Sequence, residues 1–147
     1  MTTIQRDDIP PVHLLTLRSS SLLLQKNFEG VFSAETIEQF LITSYDEIAG
    51  RLTNDEYLAL FAERFAHERL TALARVEGQS DGRPSILFLC THNAGRSQMA
   101  LGFFTAYAGD RAIAWSGGSD PGISVNPAAV ASMAEKGIDI SQEFPKP

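Results

Sequence analysis

Cys90 is the single cysteine of this chain, and Arg96 and Ser97 follow it after only five intervening residues. A cysteine thiolate is a strong nucleophile, and an arginine guanidinium offers a planar fork of donors that matches a tetrahedral oxyanion. Between them lie Thr91, His92, Asn93, Ala94 and Gly95. A loop this short can curl its backbone N–H groups, those of residues 91 to 96, round one anionic centre. Ser97 can donate its hydroxyl to the sulfur. Asn93 can hold the loop through side-chain bonds to backbone, and Gly95 permits close approach or a positive φ. A free thiol titrates near ~8.5, and a helix N-terminus with cationic neighbours lowers that value by several units. The competing reading is a buried structural cysteine at a strand end. No Gly-x-x-x-x-Gly-Lys-Ser/Thr occurs, so the loop is not the nucleotide-binding type.

This chemistry needs a strand before the loop and a helix after it. The apolar run Ile86-Leu87-Phe88-Leu89, bounded by Pro84, reads as a buried strand over 85–89. Arg96-Ser97-Gln98-Met99-Ala100-Leu101 opens a helix to about Ala108, whose unpaired N–H groups and positive dipole end face the loop. A second strand is expected over 113–116, closed by Gly117-Gly118. Asn126-Pro127 then starts a helix through Lys136 that Gly137 stops. The order strand–loop–helix–strand–loop–helix implies a parallel sheet with right-handed crossovers. Ligands of such sheets bind at the carboxyl ends of strands, where Cys90 lies.

Residues Met1 to Ile9 are expected to be loose. Pro10-Pro11 starts an apolar helix carrying Val12, Leu14, Leu15, Leu17 and Leu22-Leu23-Leu24 and ending near Gly30, with a break or a tight helix contact at Ser19-Ser20-Ser21. Ser33 caps a second helix with Ile37, Phe40, Leu41, Ile48 and Leu52 on one face. Thr53 and Glu56 form a capping-box pattern for a third helix from about Asn54 to Val76, striped by Leu58, Phe61, Ala62 and Phe65. The alternating charges Glu63 to Arg69 read as a solvated face. Gly78 to Pro84 is a polar linker. The expected domains are therefore a helical bundle over 1–80 and an α/β unit over 81–147. A three-helix bundle of this size is marginal alone, and Leu22, Leu23 and Leu24 point to three sides of their helix. It is read as a dimerisation domain, against the alternative of a self-sufficient bundle.

The remaining composition narrows the function classes. The 147 residues are 44% hydrophobic and carry a net charge of −6, which argues against a general nucleic-acid binder. There is no run of 18 apolar residues and no basic-then-apolar leader, so neither a membrane span nor a secretory signal is expected. One cysteine excludes an internal disulfide and a cysteine-based zinc site, and fits a reducing cytoplasm. No metal is expected. His13, His67 and His92 show no ligand spacing, and ordinary surface or loop roles are expected of the first two.

Cys90-Thr91-His92-Asn93-Ala94-Gly95-Arg96-Ser97 resembles the phosphate-binding loop of the low-molecular-weight protein tyrosine phosphatase superfamily. Its continuation Gln98-Met99-Ala100 with Gly102-Phe103 is more similar to the arsenate reductase branch, as are Gly118, Asn126-Pro127, Gly137-Ile138-Asp139-Ile140-Ser141 and Pro145-Lys146-Pro147. The likeness runs from about Ser85 to the last residue, and the region before it resembles the helical extension of some actinobacterial members. The resemblance implies an α/β fold of which this sequence supplies the first half, two strands of four. It therefore implies a truncated chain with an exposed sheet edge. It implies arsenate reduction to arsenite by attack of the Cys90 thiolate on arsenic. Arg96 and the N–H groups of residues 91 to 96 would hold the anion, Ser97 would stabilise the thiolate, and Asn93 would maintain the loop. Family members that resolve their own intermediate use further cysteines, which this sequence lacks. An external thiol is therefore expected, mycothiol with mycoredoxin first, with glutathione or another low-molecular-weight thiol as alternatives, and thioredoxin if downstream cysteines exist. No bound cofactor is implied.

Two other readings stand beside this one. A tyrosine phosphatase would need a late-loop Asp-Pro acid. The only such pair here, Asp120-Pro121, follows the second strand and reads as a turn. A non-enzymatic oxyanion-binding or dimerisation fragment is the third.

Overall fold

The computed structural model describes residues 6–52 and 55–147. The chain divides into two compact units, 1–80 and 81–147.

In the first unit, α1 (Pro11–Asn27), α2 (Ala34–Ala49) and α3 (Leu58–Val76) pack on one another. Pro11 begins α1, where its missing N–H costs nothing. Helix α1 runs unbroken through Ser19-Ser20-Ser21. The serines make a close helix contact, with the buried Ser20 hydroxyl donating to the Glu63 carboxylate of α3. Ser33 caps α2 by accepting from the Thr36 N–H at 3.1 Å. Leu17, Leu24, Ile37, Leu41, Ile48, Ala62, Phe65 and Leu70 form the interior.

Several expectations for this unit need correction. Residues 6–8 form a 3-10 turn and Ile9 is buried, so this stretch is not loose; residues 1–5 lie outside the described residues. Helix α2 ends at Ala49, leaving Leu52 beyond it. Helix α3 begins at Leu58, not at 54, with Tyr57 as an N-cap that makes no side-chain bond; Thr53 and Asn54 of the capping-box pattern lie outside the described residues. His13 is not at the surface. It is buried, with Nδ1 2.7 Å from the Tyr45 hydroxyl. The charged run of α3 is not simply a solvated face. Glu63 is tied to Ser20, while Arg69 lies over the Phe40 and Phe65 rings and donates to the Thr43 and Ser44 hydroxyls, each at 2.9 Å. Long charged side chains can lay their stems along apolar neighbours and carry their heads to a polar partner, which charge alternation alone does not reveal.

In the second unit, β1 (Ser85–Cys90) pairs in parallel with β2 (Ile113–Gly118), in a register that runs from Ser85 opposite Ile113 to Cys90 opposite Gly118. Helix α4 (Arg96–Ala108) lies on both strands, and α5 (Pro127–Ala134) packs on α4. Asn126 caps α5 by accepting from the Ala128 N–H at 2.9 Å. Ala129, Met133 and Ile140 form the core with Met99, Phe103 and Val125. A methyl group at Gly102 would lie 2.8 Å from both Met133 Cε and Ile140 Cγ2, so the glycine allows α4 its close approach. This is the expected α/β class with a two-stranded parallel sheet.

The first strand differs from its expected burial. Leu87 is 53% and Leu89 68% exposed. An apolar run signals cover on both faces, whereas here cover is supplied on the Phe88 side, where Phe88 meets Phe104 of α4.

Candidate functional site

The strand β1 ends at Cys90, and the backbone then turns through residues 91–95 into α4. The turn is made by Asn93, whose φ is +46°, the sole non-glycine residue with a positive φ among the described residues. Asparagine tolerates this region because its short amide can bond locally. Gly95 has φ −137°, and a methyl group there would meet nothing within 4 Å. The expectation of a positive φ at Gly95 is therefore corrected: that conformation is taken by Asn93.

The carbonyls of this loop are turned outward and satisfied by the segment after β2. Ser119 N–H donates to Cys90 O at 3.3 Å, Asp120 N–H to Thr91 O at 2.8 Å, Gly122 N–H to His92 O at 2.8 Å and Asn126 N–H to Ala94 O at 2.7 Å. His92 Nδ1 lies 2.9 Å from the Asp120 carbonyl, which can only accept, so this ring nitrogen carries the proton. With the carbonyls held outside, the amides are free to face inward. Those of His92, Asn93 and Ser97 donate to the Cys90 sulfur. The Ser97 amide belongs to the first turn of α4, one of the groups a helix cannot satisfy itself.

The Ser97 hydroxyl stands 3.0 Å from Cys90 Sγ. Asn93 Nδ2 donates to the same Ser97 oxygen at 2.8 Å, which leaves the serine proton to point at sulfur. Burial pushes the Cys90 thiol up. The Ser97 hydroxyl and the amides of Ser97, Asn93 and His92 outweigh it, and the thiol falls from 9.0 to about 7. A thiol lowered this far carries much more thiolate at neutral pH than an ordinary cysteine.

The structure thus gathers Cys90, His92, Asn93 and Ser97 round one sulfur, with Thr91, Ala94 and Gly95 as the connecting backbone. Arg96 is exposed at the first position of α4. The chain bends at Asp120, and Asp120-Pro121 runs alongside the loop, with the Asp120 and Gly122 amides on the Thr91 and His92 carbonyls. Among the described residues, no three His, Cys, Asp or Glu side chains are grouped to hold a metal ion, and no helix is long and apolar enough to cross a membrane. A cleft of about 350 Å³ in the first unit is lined by Leu14, Leu17, Arg18, Ser21, Glu38 and Leu41 and contains no cysteine.

Two residues that the sequence offered only as part of the family resemblance, with no role, belong to the site. Gly118, at the end of β2, abuts the loop so closely that a methyl group there would lie 2.7 Å from Thr91 O and 2.9 Å from Asn93 N. Gln98, fully buried, donates to Asn93 O at 3.0 Å. Beyond that resemblance, the sequence marks them only as a polar residue early in a helix and a double glycine at a strand end.

Comparison with known proteins follows the same division of the chain. Residues 17–74 match the family described as protein-tyrosine-phosphatase-like, N-terminal domain, and residues 85–147 match the low molecular weight phosphotyrosine protein phosphatase family. An arsenate reductase of Halalkalibacterium halodurans is 50% identical over 58 residues, 40% of this chain and 41% of the relative. An arsenate reductase of Bacillus subtilis is 48% identical over 58 residues, again 41% of its length. The match spans about two-fifths of the length of these curated relatives. Among solved structures, a thioredoxin-dependent arsenate reductase of Corynebacterium glutamicum superposes with a TM-score of 0.83 at 40% identity, over 92% of this chain and 68% of that one.

Proposed function

This chain belongs to the arsenate reductase branch of the low-molecular-weight protein tyrosine phosphatase family, and from that premise we propose that it is built to reduce arsenate to arsenite through Cys90. The observation that carries the reading is a sulfur ringed by three amides and one hydroxyl, which lower its thiol to about 7. A site that stabilises a thiolate in this way also suits the charge of a bound oxyanion.

In the proposed reaction the Cys90 thiolate attacks arsenic, an S–As bond forms, and an As–O bond breaks, releasing the oxygen as water. Arg96 and the loop amides hold the remaining oxygens. A second thiol then attacks the Cys90 sulfur. The electron pair of the S–As bond passes to arsenic, arsenite departs, and Cys90 is left in a mixed disulfide that a further thiol reduces. Because Cys90 is the one cysteine of this sequence, those thiols are supplied from outside it. Thioredoxin is the first reductant to test, since the Corynebacterium relative bears that dependence in its name; mycothiol with mycoredoxin, expected from the sequence, comes second. A nucleophilic thiol that must stay reduced suits the cytoplasm. We also propose that residues 1–80 serve as a dimerisation domain. Val12, Leu15, Leu22 and Leu23 are exposed along α1 and support that reading.

The test is arsenite release from arsenate with thioredoxin, thioredoxin reductase and NADPH, and separately with mycothiol and mycoredoxin. Turnover that disappears in Cys90→Ser is expected. Turnover of an aryl phosphate without arsenite release would replace the proposal with the phosphatase reading. Arsenate binding without turnover under any thiol would reduce the chain to an oxyanion-binding module.

A further inference from the structure

Beyond the sulfur and its immediate donors, one buried polar cluster is left over. Gln98 and Asn93 are both fully buried. Gln98 Nε2 lies 3.0 Å from Asn93 O, 3.2 Å from Asn93 Oδ1 and 3.1 Å from Phe144 O. The Lys146 N–H donates to Asn93 Oδ1 at 3.0 Å, and the Gly118 N–H donates to Lys146 O at 2.9 Å. The stretch Phe144–Lys146, more than 40 residues from the loop in sequence, is thus fastened to Asn93 of the loop, to Gln98 in the first turn of α4 and to Gly118 at the end of β2. Three of the four hydrogen bonds the Asn93 side chain can make are spent on this arrangement: Oδ1 faces Gln98 and Lys146, and Nδ2 faces Ser97.

We infer that Gln98 is a positioning residue that latches the Cys90 loop to the segment Phe144–Lys146, so that the seating of this distant segment governs how firmly Asn93 and Ser97 are aimed at the sulfur. The chain of donors runs in one direction. Gln98 and the Lys146 amide saturate Asn93 Oδ1, which commits the other end of the amide to Ser97, and Ser97 directs its proton to Cys90. Gln98 also holds the Asn93 carbonyl, which supports a left-handed backbone conformation that itself carries a cost. Loosening the segment frees Asn93 to rotate, and Ser97 then loses the donor that orients it. Coupling of this kind is reciprocal, so an anion seated in the loop must in turn tighten the segment. The inference rests on the proposed function only in taking Cys90 as a thiolate. Its test reads the thiolate directly, so absence of arsenite release leaves it decidable.

The experiment follows the rate of Cys90 alkylation by iodoacetamide against pH in the full chain. Gln98→Met keeps the length of the side chain and removes its donor; Gln98→Glu keeps its shape and puts an oxygen where the donor stood. Either variant, still melting cooperatively, is expected to move the midpoint upward from about 7 by about one unit. Ile140→Val loosens the same core without touching the cluster and should leave the midpoint in place, which separates positioning from general destabilisation. A folded Gln98 variant with an unchanged midpoint overturns the inference. Should neither variant fold, hydrogen exchange of the Lys146 amide in the unaltered chain decides. Saturating inorganic phosphate is expected to slow it about fivefold or more, by the coupling typical of linked sites, and no change overturns the latch.

Discussion

At the residue scale, the reactivity of Cys90 is a contest between desolvation and four hydrogen bonds, and Ser97 makes two of them, one through its hydroxyl and one through its amide. Replacing Ser97 by alanine removes the hydroxyl bond and keeps the amide. The thiol should then climb from about 7 toward its ordinary value. The sign is set by the thiolate being the attacking form: the alkylation rate of the unaltered chain rises as pH climbs through about 7 and levels above it, and in Ser97→Ala the rise moves to higher pH. At pH 7 the variant should react about tenfold more slowly, a loss that shrinks as pH increases. A rate ratio constant across pH would mean that Ser97 acts by geometry alone. The loop also shows where residue-level reading succeeds and fails. Asn93 was legible as the holder of the loop, because an amide in a turn has few other roles. That it would also take the positive φ in place of Gly95 was not legible, since either residue tolerates that conformation and only the path from β1 to α4 chooses between them.

At the element scale, the loop is braced by its neighbours more than by its own residues. The end of β2 presses on it without room for a methyl group at Gly118, and the obstructing atoms are backbone. Gly118→Ala should therefore push Thr91 and Asn93 outward. It is expected to cost about 1–3 kcal/mol of stability, as overpacking does, measured by urea unfolding. It should also abolish arsenate protection of Cys90 from alkylation. Retained protection would show that the loop can shift without losing its cradle. Elements with local start signals or apolar faces were well indicated, as with α2 by its periodicity and Ser33 cap and α5 by its Asn126-Pro127 start. Elements tied by polar contacts were not: the buried His13–Tyr45 pair and the Arg69 cluster obey no spacing, because their partners lie on other helices.

At the scale of the whole molecule, the two units pose separate questions. The helical unit leaves Leu22 69% exposed, and Val12 and Leu15 open along the same helix. If these residues form the proposed dimer interface, light scattering at tens of micromolar should give twice the 16.0 kDa chain mass. Leu15→Glu combined with Leu22→Glu should return it to the single-chain mass while the Cys90 alkylation profile stays unchanged. A single-chain mass for the unaltered protein removes the dimer. In the α/β unit Leu87 and Leu89 leave an uncovered apolar strand face that can associate with other apolar surfaces, so its behaviour at high concentration is best read separately from the helical contact.

Much of this protein is determined by local order in the sequence. A single cysteine, five residues, an arginine and a serine between an apolar run and a helix are enough to specify a strand end, an amide-lined turn and an oriented thiolate, because all of those parts lie within one continuous segment. Three helices and the parallel pairing follow in the same way from periodicity and from the order of elements. What only the tertiary structure decided is long-range: Gly118 beside Asn93, residues 119 to 126 binding the loop carbonyls, and Gln98 reaching Phe144. These contacts join residues far apart along the chain through backbone groups, and a backbone N–H or C=O is the same in every residue type that carries it. No spacing of side chains can announce such bonds, so they become visible only when the chain has folded and the partners stand within 3 Å or so of each other.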